Sequence, residues 1–248
     1  MRPECGRRHA PLTTWPIANG TFAAMTSKTC ETSQAGPPRF SQRRWFAAEQ
    51  AISFLMREAV ENRDVISLAA GLVDQETLPV EATREAFERL FADTSLARAA
   101  LQYGTTAGAE RLRVQIARHL ARLERCSEEQ LAIDLDQIIL TTGSQQTLAL
   151  IADLMLDPGD ICLVAAPTYF VFLGTVNGVG ARAVPVRADA HGMRMDALEE
   201  TLSRLEQAGE LERVKLIYVV SYYENPTGVS LAPERRRQIV DIARCWSR

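Results

Sequence analysis

Three short stretches carry groups that could hold a flat, phosphorylated ligand. Gly143-Ser144-Gln145-Gln146 stands where the apolar run Ile138-Ile139-Leu140 gives way to a second run, Leu148 to Leu156. A tight strand-to-helix turn there would aim free backbone N–H groups outward at the positive end of a helix dipole, which is a seat for phosphate. Ala166-Pro167-Thr168-Tyr169-Phe170 follows another apolar run, residues 161–165, and offers the aromatic face of Tyr169. Tyr222-Tyr223-Glu224-Asn225-Pro226-Thr227-Gly228 follows a third, residues 214–221, and Pro226 biases Asn225 toward an extended backbone. The Asn225 amide is then presented at a fixed place beyond the strand. Each stretch alone has a plainer account, since Gly-Ser and Asn-Pro are common turn chemistry and an isolated tyrosine more often packs or decorates. Their shared order and phasing shifts the balance.

The elements that would position them alternate regularly after residue 137. Strand 138–142 precedes helix 145–156, strand 161–165 precedes a helix near 169–177, strand 182–187 precedes helix 195–207, and strand 214–221 precedes helix 233–246. Very apolar strands alternating with helices predict an α/β fold with a mostly parallel sheet covered by helices on both faces. Residues 214–220 read as the clearest buried strand. Ligands gather at the carboxyl ends of such strands, which is where all three stretches fall. Upstream, residues 84–91 read as a helix. Leu112, Ile116, Leu120 and Leu123 share one face of another, after Gly108. His119 on that helix reads as a surface residue. Residues 43–61 suggest a further helix, residues 65–68 a short strand, and Gly71 a turn or a close backbone approach. Residues 1–42, rich in Thr, Ser, Pro, Gly and Arg without apolar period, read as a disordered leader with Met25 as an alternative start, and residues 43–248 as the folded domain.

Composition narrows the classes. A formal net charge of -3 argues against a nucleic-acid or anionic-membrane partner, and no apolar stretch is long enough to span a bilayer. Cys5, Cys30, Cys126, Cys162 and Cys245 are scattered, form no Cys-x-x-Cys pair, and so indicate no disulfide framework and no metal site. A reducing, cytoplasmic setting is the simplest expectation. Gly178-Val179-Gly180 lacks the third glycine and the placement of a dinucleotide fingerprint.

Taken together, residues 43–248 resemble the class I/II aminotransferases, the fold-type-I group of pyridoxal-phosphate enzymes. Asn225-Pro226-Thr227-Gly228 is the most specific piece. Gln102-Tyr103-Gly104 with Gly108 and Leu112-Arg113, Thr142-Gly143-Ser144-Gln145-Gln146, Asp157-Pro158-Gly159-Asp160 and Pro167-Thr168-Tyr169 follow in family order. The Gly-Ser-Gln-Gln form is similar to the branch with aminoadipate, kynurenine and branched-chain or aromatic aminotransferases. The resemblance implies pyridoxal 5'-phosphate as cofactor, with its phosphate on Gly143, Ser144 and Gln145, its ring against Tyr169 and its phenolic oxygen at Asn225. It implies that Tyr103 reaches the phosphate of a neighbouring subunit in a homodimer with shared active sites. Gly71 and Asn225 would lie at the substrate, an amino acid or a 2-oxo acid.

The resemblance also implies parts that this sequence does not show: a ring-nitrogen aspartate, a Schiff-base lysine and a carboxylate-binding arginine, all beyond the Asn-Pro-Thr-Gly turn. The lysines present are Lys28, in the leader, and Lys215, at the start of strand 214–221. No catalytic residue is therefore assigned, and the expectation is the N-terminal part of an aminotransferase, inactive by itself, with uncovered apolar faces and a tendency to aggregate. The alternatives are a catalytically silent cofactor-binding or dimer-interaction module, and a carbon–sulfur lyase or decarboxylase of the same fold. A transcription regulator with such an effector domain would need a DNA-binding module that residues 1–42 do not provide.

Overall fold

A computed structural model describes residues 40–46, 54, 58, 61, 62, 64 and 73–247. The expected leader up to residue 39, Lys28, most of the helix expected over 43–61, the run 65–68 and Gly71 lie outside the described residues. Gln42–Trp45 form a single 3-10 turn, and Phe54, Glu58 and Glu61 are helical as expected.

Eight α-helices are described: α1 (Val80–Ala92), α2 (Thr94–Ala100), α3 (Glu110–Leu123), α4 (Glu128–Leu131), α5 (Gly143–Met155), α6 (Phe170–Gly178), α7 (Met195–Gln207) and α8 (Pro233–Trp246). Four strands, β1 (Ile161–Ala166), β2 (Arg182–Asp189), β3 (Gly192–Met193) and β4 (Val214–Tyr218), form one sheet in the order β3-β2-β1-β4. β1 runs parallel to β2 and β4, and the short β3 turns back antiparallel on β2. The mostly parallel sheet with helices on both faces is the expected architecture.

β1 is the strand around which both cores form. Its side chains alternate: Ile161, Leu163 and Ala165 enter one core with α7 and α8, and Cys162 and Val164 enter the other with α5 and α6. A strand buried on both faces needs an uninterrupted apolar run, and Ile161 to Ala165 supplies one with every residue buried. The clearest buried strand is thus β1, not residues 214–220. β4 lies at the end of the strand order, and its residues are half-buried apart from the exposed Lys215. Its ladder with β1 closes at Val164–Tyr218, so residues 219–221 leave the sheet earlier than the apolar run suggested.

Residues 138–142 differ as well. Their backbone runs into α5 without a ladder partner among the described residues, and the Leu140 N–H donates to the Ala107 carbonyl at 3.0 Å. An apolar run shows that a segment is buried or extended, not that a neighbouring strand is there to pair with it. On α3 the buried side chains are Ala117 and Ala121, while Leu112 and Leu123 remain exposed. His119 is exposed, as expected.

Gly108 fixes how this segment meets α3. Its φ is +93°, and a Cβ added there would stand 2.5 Å from the Leu140 side chain. Gly108→Ala should therefore cost about 2 kcal/mol or more, combining backbone strain with overlap against a packed side chain. Denaturant unfolding of the purified variant checks this; unchanged stability would show that Leu140 moves aside freely.

On the opposite core, Arg235 of α8 fastens the β2–β3 hairpin. Its guanidinium donates to both Asp189 carboxylate oxygens, at 2.6 and 2.8 Å, and to the carbonyls of Gly192 and Met193. This guanidinium, and then the His191 N–H, hold the Asp189 carboxyl well below the usual carboxylate range. A carboxylate with a depressed folded pKa stabilises the fold above its unfolded pKa of about 3.9 and loses that contribution as pH falls through the folded value. Acid melts should accordingly show Arg235→Ala losing less stability than the parent chain below about pH 4. Parallel acid limbs in the two proteins would contradict this.

Candidate functional site

The cleft that matters lies where β1 and β4 end. It has a volume of about 500 Å³ and is lined by Ser144, Thr147, Leu148, Tyr169, Tyr218, Val219, Val220 and Asn225. Three of the residues singled out from sequence, Ser144, Tyr169 and Asn225, come together here from one helix start and two loops.

α5 forms the first wall. It starts directly at Gly143, whose φ of +72° lets the chain turn sharply out of the extended segment, and an added Cβ there would meet nothing within 4 Å. The Gly143 N–H is taken by the Thr141 carbonyl at 2.9 Å, and the Thr142 side chain makes no capping bond. Ser144 and Gln145 in the first turn therefore keep backbone donors for an outside acceptor. Side chains around the turn brace one another: the Thr141 and Thr147 hydroxyls are 2.7 Å apart, and the Thr142 N–H donates to Gln146 Oε1 at 2.6 Å. The Gln145 side chain turns away from the cleft and donates to Thr175 Oγ1 of α6 at 3.1 Å. What Gln145 offers the cleft is its N–H.

Tyr169 precedes α6 and is half-buried, its ring 6.0 Å from that of Phe170. The Asn225 loop is held from outside and inside. Outside, Arg236 of α8 donates to the carbonyls of Leu231 and Ser221 and to the Tyr222 hydroxyl, with its guanidinium 4.1 Å from the Tyr222 ring centre. Inside, the buried Glu224 accepts from Thr168 Oγ1 at 2.8 Å and from the Val220 N–H at 3.2 Å. The Ala166–Pro167 and Asn225–Pro226 bonds are both cis.

Tyr218 is a wall residue that sequence reading did not single out. It ends β4 and its ring lies 4.1 Å from that of the buried Phe172. Burial, followed by the nearby Glu224 carboxylate and Tyr169, pushes its hydroxyl up to about 12, so it remains a neutral hydrogen-bonding group at physiological pH. The signal for it was available: it is the last ladder residue of a strand whose carboxyl end faces the ligand side.

Tyr103, expected at a neighbouring subunit's phosphate, and Lys215, assigned no role, lie apart from the cleft. Tyr103 is 99% exposed, so it serves no cleft within its own chain. Lys215, the lysine among the described residues, lines a different groove of about 470 Å³ with Ile239, Ala243 and Trp246, near the amino end of β4. No group of three or more metal-ligating side chains occurs among the described residues, Cys126, Cys162 and Cys245 are free thiols, and no described helix is long and apolar enough to cross a membrane.

An uncapped helix start, an aromatic face and a side-chain amide around one cleft are the groups a phosphorylated aromatic ring would need. Residues 63–246 match the family model for aminotransferase class I and II. The chain is 39% identical over 188 residues to an aromatic-amino-acid aminotransferase of Thermococcus litoralis, covering 74% of this chain and 42% of that one. It is 33% identical over 174 residues to a 2-aminoadipate transaminase of Thermus thermophilus, covering 70% and 39%. Among solved structures, a kynurenine aminotransferase of Pyrococcus horikoshii, determined with PMP, superposes with a TM-score of 0.72 at 34% identity over 84% of this chain and 48% of that one. The chain thus spans less than half the length of these relatives. The pyridoxal-phosphate cofactor of such enzymes is present in the Pyrococcus structure as PMP and in a Thermus thermophilus α-aminoadipate aminotransferase as a phosphopyridoxyl-leucine adduct. From the extent of these matches, the chain belongs to the class I and II aminotransferase family.

Proposed function

We propose that this chain supplies the cofactor-anchoring half of a pyridoxal-phosphate-dependent aminotransferase, an enzyme that moves an amino group between an amino acid and a 2-oxo acid. The observation that carries the reading is the meeting of Ser144, Tyr169 and Asn225 in one cleft. Bound pyridoxal phosphate supplies an electron sink for bond breaking beside the amino group. The chain's residues do the rest of the anchoring. The Ser144 and Gln145 N–H groups, with the Ser144 hydroxyl, take the phosphate. Tyr169 covers one face of the ring and excludes water from it. Asn225 donates its amide to the phenolic oxygen, favouring the ionised oxygen at that atom.

The names of the relatives point to aromatic amino acids, 2-aminoadipate and kynurenine, so the proposed substrates belong among larger amino acids and their 2-oxo acids. The exposed Tyr103 and the outward apolar side chains of α5, Leu150, Leu154 and Met155, support a homodimer in which each subunit contributes to its neighbour's cleft. Residues 43–248 are the proposed domain, Gly71 its proposed substrate-side backbone contact, and the cytoplasm its proposed location.

A second reading, a cofactor-binding module without catalysis of its own, is favoured by the position of Lys215 in a separate groove. One experiment addresses both. The purified 248-residue chain should retain pyridoxal phosphate in equilibrium dialysis, while borohydride should fix no stoichiometric label on a single lysine. Failure to retain the cofactor would refute the anchoring role, and full labelling at one lysine would refute the absence of a reactive partner in these residues.

A further inference from the structure

We propose that Glu224 is a positioning residue that locks the Tyr169 loop to the Asn225 turn and so sets the width of the slot between them. The inference rests on the cofactor reading above and adds to it a residue outside the Asn225-Pro226-Thr227-Gly228 motif. The β1–β4 ladder ends at Val164–Tyr218, so the loops that follow these strands leave the sheet before reaching Tyr169 and Asn225. Among the described residues the hydrogen bond joining the two loops is Thr168 Oγ1 to Glu224 Oε1, at 2.8 Å. Thr168 and Glu224 are both buried, at 6% and 7% exposure, and each is the immediate neighbour of a cleft-lining residue.

Glu224 is pinned through its backbone as well. Its N–H donates to the Val229 carbonyl at 2.8 Å, and its carbonyl accepts from the Gly228 N–H at 2.6 Å and the Thr227 hydroxyl. The backbone of Asn225 therefore leaves a residue fixed at both ends. Beyond it, Glu224 walls a second cavity of about 250 Å³ with Pro167 and Val220, behind the slot. A cavity there gives the Tyr169 loop room to move once the bond is lost.

The link needs a two-headed polar side chain of this length. Oε1 and Oε2 each accept from a protein donor, a hydroxyl and a backbone N–H. A glutamine can keep both contacts, its oxygen accepting from the Val220 N–H and its NH₂ donating to the Thr168 hydroxyl, whereas an alanine keeps neither. The residue is a device for spacing, and its loss should be felt by the ring and not by the phosphate.

The test compares two probes on the full chain: pyridoxal phosphate, followed by quenching of protein fluorescence, and inorganic phosphate, followed as its competitor. Glu224→Ala should weaken pyridoxal phosphate about tenfold, as expected for one buried hydrogen bond to a charged group, and leave the inhibition constant of phosphate within about twofold. Thr168→Val should do the same. The double variant should lose no more than the weaker-binding single one, because both changes break one link. Circular dichroism melts accompany each variant; Glu224→Gln, which can remake both contacts, should keep near-parent affinity, and Glu224→Asp, one methylene shorter, replaces Glu224→Ala if that variant fails to fold. Additive losses, parallel weakening of both probes, or wild-type affinity in both single variants would overturn the proposal while leaving the cofactor reading intact. A parent chain that does not bind pyridoxal phosphate would refute the cofactor reading and this role with it.

Discussion

Phe172→Ala should be the most damaging single substitution in the site region, lowering stability by about 3–5 kcal/mol and the melting temperature by about 6–20 °C. Phe172 is 2% exposed and is among the largest fully buried side chains. It stands in the core formed by β1, α5 and α6, against Cys162, Val164 and Val176. Removing the ring leaves a void that a parallel strand buried on both faces cannot collapse to fill. The same ring backs Tyr218, so the loss reaches the cleft: without Phe172, the Tyr218 side chain loses the partner 4.1 Å away that orients it. Calorimetry of the variant checks the first part. A melt within 2 °C of the parent would mean that the core is far looser than its burial indicates.

Ser144→Asp should have the largest effect on ligand binding, and with an opposite effect on stability. Ser144 is the second residue of α5, a helix with no side-chain cap, and an acid in the first turn of such a helix typically stabilises it by about 0.3–1 kcal/mol. The same carboxylate would occupy the phosphate seat. Two unit charges 4 Å apart at an effective dielectric of about 20 repel by about 4 kcal/mol, so even after screening the affinity for pyridoxal phosphate should fall by about a hundredfold or more. The variant is thus expected to melt slightly higher and bind far more weakly. A merely damaged fold would lower both quantities, and preserved affinity would place the phosphate somewhere other than the start of α5.

Much of this was legible in the sequence, because local signals and tertiary placement agreed. β1, α6, α7 and α8 fall within a residue or two of expectation: each is a clean apolar run or a helical face bounded by Gly, Pro or Asp, such as Pro233 at the first turn of α8. The cleft was legible because Tyr169 and Asn225 sit just past strand ends, where a parallel sheet delivers its loops to one side, and Ser144 sits at a helix start. What was not legible depends on neighbours far along the chain. Residues 138–142 are as apolar as a strand, yet pairing requires a partner that no local pattern reveals. The rank of β1 over β4 as the buried strand follows from sheet order, which composition does not encode. Gln145 carries a plausible polar side chain for a phosphate, but Thr175, thirty residues on, is where it goes. Glu224 and Thr168, fifty-six residues apart, have roles visible only once their loops are brought together.

The account turns on where the cofactor's two ends rest. Amide chemical-shift mapping of the isotopically labelled chain during a pyridoxal-phosphate titration reads this directly. Saturable shifts should appear at the backbone amides of Gly143, Ser144 and Gln145 and at the side-chain amide of Asn225, with the Tyr169 ring signals moving in step. Shifts clustered instead in the groove beside Lys215 and Trp246, or no saturable shifts at all, would contradict it.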